Sequence, residues 1–285
     1  MGGRREDALA HQLCVRVQSH SRAELSGVEM TTEGVGYAVT VSATATLSDC
    51  SVSSLRGLLH QCVSVWNGGT AQLANSHFMG ERDGSTCVHV RGHGSHVTAR
   101  SCFLGNGEFG AVAEDDGKLI ALGCESLDTD HAYAVNGGQM ELLNCSSDDQ
   151  YVGCCVDGGH LTATNVTLTN NISYGVSIAS GNAQLRGCSV SGSKAEDEGC
   201  IGMQFNTNPQ FGATEALVQD CTVEEFNNGG ICALGRASVT VRGCRSRGNG
   251  TAGFRVGGDA HMTVAHSSSY GDTAGCVVND DSMGN

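Results

Sequence analysis

The sequence has little proline and few aromatic residues. A single proline stands against 41 glycines, which predicts many tight turns, and the 39% of hydrophobic residues excludes a disordered tract. Aromatic residues make up only 5% of the chain, so valine, leucine, alanine and cysteine must form most of the core. Such a core suits many thin layers better than one thick globule.

Basic residues are also scarce. Lysine and arginine together number 16 against 30 acidic residues, a net charge of −14, and no basic stripe is present to displace counterions from phosphates. A nucleic-acid partner is therefore not expected. No segment approaches about 18 consecutive apolar residues, so we expect nothing that spans a membrane. Residues 1–10 lack the apolar run of a secretory signal, which predicts a cytoplasmic rather than an extracellular location.

The 15 cysteines are an odd number in a chain without a secretory signal. This combination predicts a reducing compartment and free, buried thiols rather than a disulfide framework. No CxxC or CxC pair occurs, which argues against a zinc site with local ligand spacing. No cofactor is expected apart from calcium.

One spacing recurs along almost the whole chain. In the stretch Gly117–Cys145, Leu119 and Ala121 precede Cys124, and the same pattern returns 21 residues later at Cys145. Cysteine holds seven of the eleven positions in this register, which is too regular for chance. The eleven positions are Val28, Cys50, Ser76, Cys102, Cys124, Cys145, Val166, Cys188, Cys221, Cys244 and Ser267.

A second pattern runs in register with the first. Two apolar residues flank one variable residue, as in Tyr133 and Val135, and the pattern occurs twelve times between Val15 and Val278. Alternation with a period of two predicts short, half-buried strands, because successive side chains point to opposite faces. Each repeat of about 22 residues therefore holds at least two strands, joined by glycine-rich turns and with no helical stripe.

Strands that repeat in one direction without helices must stack as the coils of a solenoid. We predict an all-β, parallel β-helix of about twelve coils over residues 11–285, and known folds of this kind make a right-handed coil the expectation. Residues 1–10 are predicted to form a polar cap or tail, with loops near 193–200 and 206–216. The C-terminus stops just after a strand, so we expect the chain to be a fragment or to rely on a partner there.

The repeat, written GxxVxxGAxLxLxxCxV, resembles the right-handed parallel β-helix, or pectin-lyase-like, repeat superfamily over about residues 11–280. The resemblance implies one of several functions, because the superfamily includes polysaccharide lyases, hydrolases, epimerases, phage tailspikes and intracellular interaction proteins. The cysteine-rich repeats without a signal peptide look like those of F-box-only ubiquitin-ligase receptors and SHC-binding proteins. That likeness implies a protein partner.

The outward-facing residues between the apolar pairs contain no carboxylate. They are Arg16, Thr40, Ser64, His89, Val112, Ala134, Cys155, Ser177, Gln204, Cys232, Arg255 and Val277. Polysaccharide lyases of this superfamily hold calcium on acidic strand residues opposite an Arg or Lys base, and that pattern is not met. Cys155 and Cys232 are predicted to be the thiols most open to modification. The sole tryptophan, Trp66, is a candidate to stack on a sugar or to anchor a partner.

The best candidate for chemistry is a pair of turns. Asp128, Asp130 and His131 lie one coil before Asp148 and Asp149, and stacked turns would gather four carboxylates and a histidine. Such a patch is a candidate for acid–base catalysis on a sugar. The favoured interpretation is nevertheless that these residues only form hydrogen bonds within their turns.

Carboxylates near these turns are also candidates for calcium, which prefers oxygen ligands. The candidate ligands are Glu114, Asp130, Asp149 and Asp157. Another candidate metal site is the histidine group His89, His93 and His96, for which an exposed basic edge is the favoured interpretation.

The sequence therefore favours a non-enzymatic recognition or scaffold module that binds a protein partner. The alternative is a carbohydrate-binding or carbohydrate-active protein of lyase, hydrolase or epimerase type, which would use the acidic turn patch on a polysaccharide, with or without calcium.

Overall fold

The structure, a computed structural model, describes residues 12–33, 36–55, 61–81, 84–193, 200–207 and 212–279. These residues form strands, turns and bends, and none of them belongs to a helix long and apolar enough to cross a membrane. The predicted cap at residues 1–10 lies outside the described residues, as do 194–199 and 208–211 of the two predicted loops. Of the second predicted loop, residues 214–216 lie in a strand.

Each coil contains three short strands in fixed order. The first strands of the coils are Gln12–Val17, Gly36–Val41, Gln61–Val65, Thr86–Arg91, Phe109–Glu114, His131–Asn136, Ile201–Phe205, Gly229–Ala233, Ala252–Gly257 and Ala274–Asn279. The second strands are Arg22–Ser26, Thr44–Ser48, Thr70–Ala74, His96–Arg100, Lys118–Leu122, Gln139–Leu143, Thr214–Gln219, Ser238–Arg242 and His261–Ala265. Two long strands, Val152–Thr164 and Tyr174–Arg186, occupy both the first and the second place in their coils.

The third strands are the shortest, and most contribute a single inward side chain. They are Glu29–Glu33, Ser51–Leu55, His77–Met79, Phe103–Gly105, Glu125–Leu127, Ser146–Asp148, Thr167–Asn171, Ser189–Gly192, Thr222–Glu224, Arg245–Arg247 and Ser268–Tyr270. They form an 11-stranded sheet, while the two long strands join the first and second strands into one 21-stranded sheet. The described residues thus make about eleven full turns of a parallel solenoid, close to the predicted twelve.

The core is a set of stacked columns, because each inward residue lies against its counterparts on neighbouring coils. Ala111 pairs with Tyr133 and Ala113 with Val135, and all four are at most 2% exposed. The register of the first strands confirms the predicted columns, because each residue between an apolar pair lies opposite its counterpart on the next coil, as Val112 lies opposite Ala134. Burial of a large apolar side chain stabilises the folded state by about 1.5–3 kcal/mol relative to exposure. The stacked apolar columns that the repeat creates therefore stabilise the fold.

The cysteine column lies at the turn between the second and third strands. Cys102, Cys124 and Cys145 are 1–2% exposed, which confirms the predicted stack of buried thiols. Each thiol donates to a carbonyl two residues earlier, as Cys102 Sγ does to Arg100 O at 3.4 Å. Ser76 makes the same bond through its hydroxyl, at 2.7 Å to Ala74 O. This position therefore favours a small side chain whose thiol or hydroxyl can donate a hydrogen bond to a carbonyl of the turn.

The residue before each column member has a left-handed backbone. Gly27, Asp49, Asn75, Ser101, Gly123, Asn144, Asn165, Gly187, Asp220, Gly243 and His266 all have φ between 48° and 64°. Glycine, asparagine and aspartate adopt this conformation at least cost, which explains most of the identities. The turn, rather than any chemistry, fixes the polar residues that precede the cysteines.

Candidate functional site

The predicted acidic turns are built into the fold. Asp128 and Asp149 have φ of 53° and 60°, and they stack with Asn106 and Asn170, which also have positive φ. The Asp148 carboxylate accepts hydrogen bonds from Thr169 Oγ1 at 2.7 Å and from Asn170 Nδ2 at 2.8 Å. These aspartates therefore occupy left-handed turn positions and form hydrogen bonds between neighbouring coils. This is expected because aspartate and asparagine tolerate left-handed backbone.

The same turns bury polar groups beneath the aspartates. Thr129 is 3% exposed and Gln150 is fully buried. The Thr129 N–H donates to Gln150 Oε1 at 3.2 Å, and Gln150 Nε2 donates to Asp148 O at 2.5 Å. This bonding holds adjacent coils together at the third turn. Asp130 is exposed, whereas His131, the first residue of the next strand, lines a groove.

A groove lies on the first face, meaning the outward surface of the first strands. It has a volume of about 560 Å³ and spans the coils from Gln61 to Asp157. Its floor includes Val112 and Ala134, and residues at the two ends of the first strands, such as His131 and Glu114, form its walls. The other residues that line it are Gly84, Thr86, His89, Glu108, Phe109, Glu114, His131, Val135, Asn136 and Cys155.

A histidine and a glutamate are bonded in this groove. His89 Nε2 lies 3.0 Å from Glu114 Oε2, and the two side chains are 12% and 25% exposed. Arg91 flanks the pair, with Nε at 2.8 Å from Asp115 Oδ2 and 3.7 Å from Glu114 Oε2. The favoured prediction of an exposed basic edge is wrong for His89, because the walls of the groove cover it.

A second histidine lies at the start of the groove floor. The His131 ring stacks on Phe109, with centroids 5.0 Å apart and an interplanar angle of 16°. Burial lowers the pKa of His131, and the nearby Asp130 and Glu108 oppose that shift. Burial also lowers the pKa of His89, although Glu114 opposes it. Both rings are therefore held neutral by their surroundings.

These histidines predict a loss of stability in mild acid. Because their folded pKa values lie below the ordinary value of about 6.5, the unfolded chain takes up protons first as the pH falls through that value. The free energy of unfolding should therefore fall from about pH 7 towards about pH 5. Denaturation midpoints across this range test the prediction. The double variant His89→Gln/His131→Gln should show a flatter profile than wild type.

The predicted site residues are only partly brought together. Glu114, His131 and Asp157 line the groove, whereas Asp128, Asp130, Asp148 and Asp149 do not. Among the described residues no three His, Cys, Asp or Glu side chains are placed so that they could hold one metal ion. Calcium binding through Glu114, Asp130, Asp149 and Asp157 stays a prediction.

The two outward cysteines are less accessible than predicted. Cys232 is fully buried, and burial raises its pKa to about 11. Cys155 is half-buried, and burial together with Asp157 raises its pKa to about 12. The prediction that these thiols are the most open to modification is wrong, because Cys14 and Cys276 are the exposed ones.

Trp66 lies apart from the groove. It is 44% exposed and lines a separate depression of about 390 Å³ with Arg16, Thr40 and Ser42. This depression continues the first face towards the N-terminal coils. A role for Trp66 in stacking on a sugar or anchoring a partner stays a prediction.

His89 and Glu114 are both candidate residues in the sequence, but the repeat patterns do not indicate that the two side chains are in contact. His89 is in register with Val112, and Glu114 is in register with Arg91, so the contact is diagonal between coils. Repeat alignment compares residues straight across coils and therefore does not reveal it. The signal that would have revealed it is a histidine and a carboxylate separated by one repeat plus two residues, which is 25 positions in this case.

Parallel coils with three strands per turn, a stacked core and no helix among the described residues define the class as a parallel β-solenoid. The chain belongs to the right-handed β-helix family, whose model matches residues 39–194 and 150–285. This membership supplies the right-handed coil that was expected.

Among solved structures, the chain is similar to PfbA, a surface adhesin of Streptococcus pneumoniae. The two chains share 8% identity with a TM-score of 0.36, and the match covers 90% of this chain and 85% of the adhesin. A search of curated proteins found no match.

Proposed function

We propose that this chain is a non-enzymatic recognition module that binds a protein partner in the groove on its first face. The observation that carries the proposal is the groove itself, which combines an apolar floor at Val112 and Ala134 with polar walls. An apolar centre with a polar rim is the usual anatomy of a protein interface. The free thiols of the buried column, such as those of Cys102, Cys124 and Cys145, support a cytoplasmic location for this module.

Selection of peptides from a displayed random library tests this function. We expect wild-type protein to enrich peptides that the variant Val112→Arg no longer binds, because arginine would fill the groove floor. The matched control is Leu217→Arg, which makes the same kind of change at an outward position of the second strands, where the side chain is 36% exposed. Equal enrichment by wild type and Val112→Arg would contradict the proposal, provided that both variants keep the wild-type denaturation midpoint.

A second candidate function rests on the bond between His89 and Glu114. A histidine and a carboxylate 3.0 Å apart in a groove are the kind of pair that supports general acid–base catalysis on a polysaccharide. Incubation with polygalacturonate or alginate, with and without calcium, tests this candidate. It requires product formation that His89→Gln abolishes. Unchanged substrate with wild-type protein would remove it.

A further inference from the structure

The groove has a one-sided charge. Three carboxylates line it, those of Glu108, Glu114 and Asp157, and its lining contains no lysine or arginine. Arg91 lies nearby, but its guanidinium is bonded to Asp115 and is 58% exposed, outside the lining. The groove therefore presents negative charge over an apolar floor.

The histidines of the groove do not cancel this charge. Burial keeps His89 and His131 neutral, since it lowers the pKa of both. A neutral His89 serves as a hydrogen-bond partner of Glu114 at 3.0 Å and leaves the carboxylate its negative charge. A cation in the groove would thus meet a negatively charged Glu114, which Arg91 approaches only to 3.7 Å, in a partly desolvated setting where attraction is stronger than in bulk water.

Two polar atoms of the groove residues lack a partner. Gln61 Oε1 and His131 Nδ1 are buried and make no hydrogen bond with the part of the chain that the structure describes. A buried polar atom without a partner is costly, and an amide oxygen can only accept. Both residues line the groove. Because less than 1 Å² of either atom is open to solvent, these atoms do not specify the occupant, and the carboxylates and the apolar floor carry the argument.

The dimensions of the groove fit an extended chain. The coils from Gln61 to Val152 are five in number, and at about 4.8 Å per coil they span roughly 19 Å. An extended peptide of about six residues has that length at about 3.3 Å per residue. Glu114 and Asp157 lie two coils apart, which places their backbones roughly 10 Å from each other along the groove.

We propose that the occupant of the groove is an extended protein segment that carries arginine or lysine side chains. Its cations lie beside Glu114 and Asp157, and its apolar side chains cover Val112 and Ala134. This inference rests on the proposed recognition function and specifies the chemistry of the partner. Arginine suits the site best, because its planar fork donates to a carboxylate in bidentate geometry.

The probe is a labelled heptapeptide in which valine and arginine alternate, with the same peptide bearing glutamine in place of arginine for comparison. We expect the arginine peptide to bind wild type and to bind Glu114→Gln/Asp157→Asn at least about tenfold more weakly, about 1.4 kcal/mol. The control Glu141→Gln/Glu215→Gln removes the same charge from exposed positions of the second strands and should leave the affinity unchanged. Added salt should weaken binding to wild type.

The outcomes separate this inference from the function on which it rests. Equal affinity for wild type and the groove variant, or equal affinity for the two peptides, would overturn the cationic segment. If library peptides without arginine or lysine bind wild type and do not bind Val112→Arg, the recognition function is supported and the cationic segment is overturned. Binding of a chitosan hexamer in place of the arginine peptide would assign the cation to a polysaccharide and overturn a protein segment.

Discussion

Replacing Gly159 with alanine is expected to lower the free energy of unfolding by about 3 kcal/mol. Gly159 has φ of 88°, which costs an alanine about 1–2 kcal/mol. A Cβ at this position would also overlap the backbone carbonyl oxygen of Gly138 on the preceding coil. Neither backbone can rotate away, so the coils must separate locally, at a cost of about 1–3 kcal/mol. Chemical denaturation followed by circular dichroism measures the change.

The adjacent glycine supplies the matched control. Gly158 has φ of 81°, but a Cβ there would lie 3.6 Å from the nearest atom, Gly137 N, which is an ordinary contact. Gly158→Ala should therefore cost only the conformational part, about 1–2 kcal/mol. Equal losses in the two variants would show that the close approach of the coils at Gly159 does not limit the side chain.

The coil and its columns could be predicted from sequence because they repeat. Each inward residue meets its own counterpart one repeat later, so the spacing of Leu119, Ala121 and Cys124 determines what stacks on what. The outward column from Arg16 to Val277 followed from the same logic, and the strand pairings confirm it. Local alternation and a regular repeat were sufficient, since almost all contacts lie between neighbouring coils.

The walls of the groove could not be predicted in this way. Whether an outward residue is exposed depends on which side chains flank it on its own and the neighbouring coils, as Glu114 flanks His89. His89 and Cys232 both alternate outward, yet His89 is 12% exposed and Cys232 is fully buried. Periodicity predicts whether a side chain points inward or outward, but it does not predict how much the neighbouring residues cover it.

Aspartate and asparagine posed a related difficulty. Asp149 and Asn249 both follow a third strand in a polar segment, and composition alone assigns them the same turn role. In the structure Asp149 is exposed with left-handed backbone, whereas Asn249 is 1% exposed and bonded inside the solenoid. Asp149 occupies the left-handed position of its turn, whereas Asn249 follows the left-handed residue Gly248. The side chain at that following position points inward. An alignment of the turns by their left-handed positions would have separated the two.

Asn249 accordingly carries the second large expected effect. Its Oδ1 accepts from the Phe226 N–H at 3.0 Å, and its Nδ2 donates to Val223 O at 3.2 Å and to Ser246 Oγ at 2.8 Å. The variant Asn249→Ala leaves all three groups buried without this partner. Each unsatisfied buried group costs about 1–3 kcal/mol, so we expect a loss of about 3–5 kcal/mol in the free energy of unfolding.

The control for this prediction is Asn182→Ala, at an exposed position of a long strand, which should change stability by less than about 0.5 kcal/mol. Hydrogen exchange adds a local measurement. The Phe226 amide bonds to Asn249 rather than to a neighbouring strand, so its protection should fall in Asn249→Ala, while the Cys244 amide, held by Ser267 Oγ at 3.1 Å, keeps its own partner. If the Phe226 amide stayed as protected as in wild type, the side chain of Asn249 would not be what holds this turn to the coil before it.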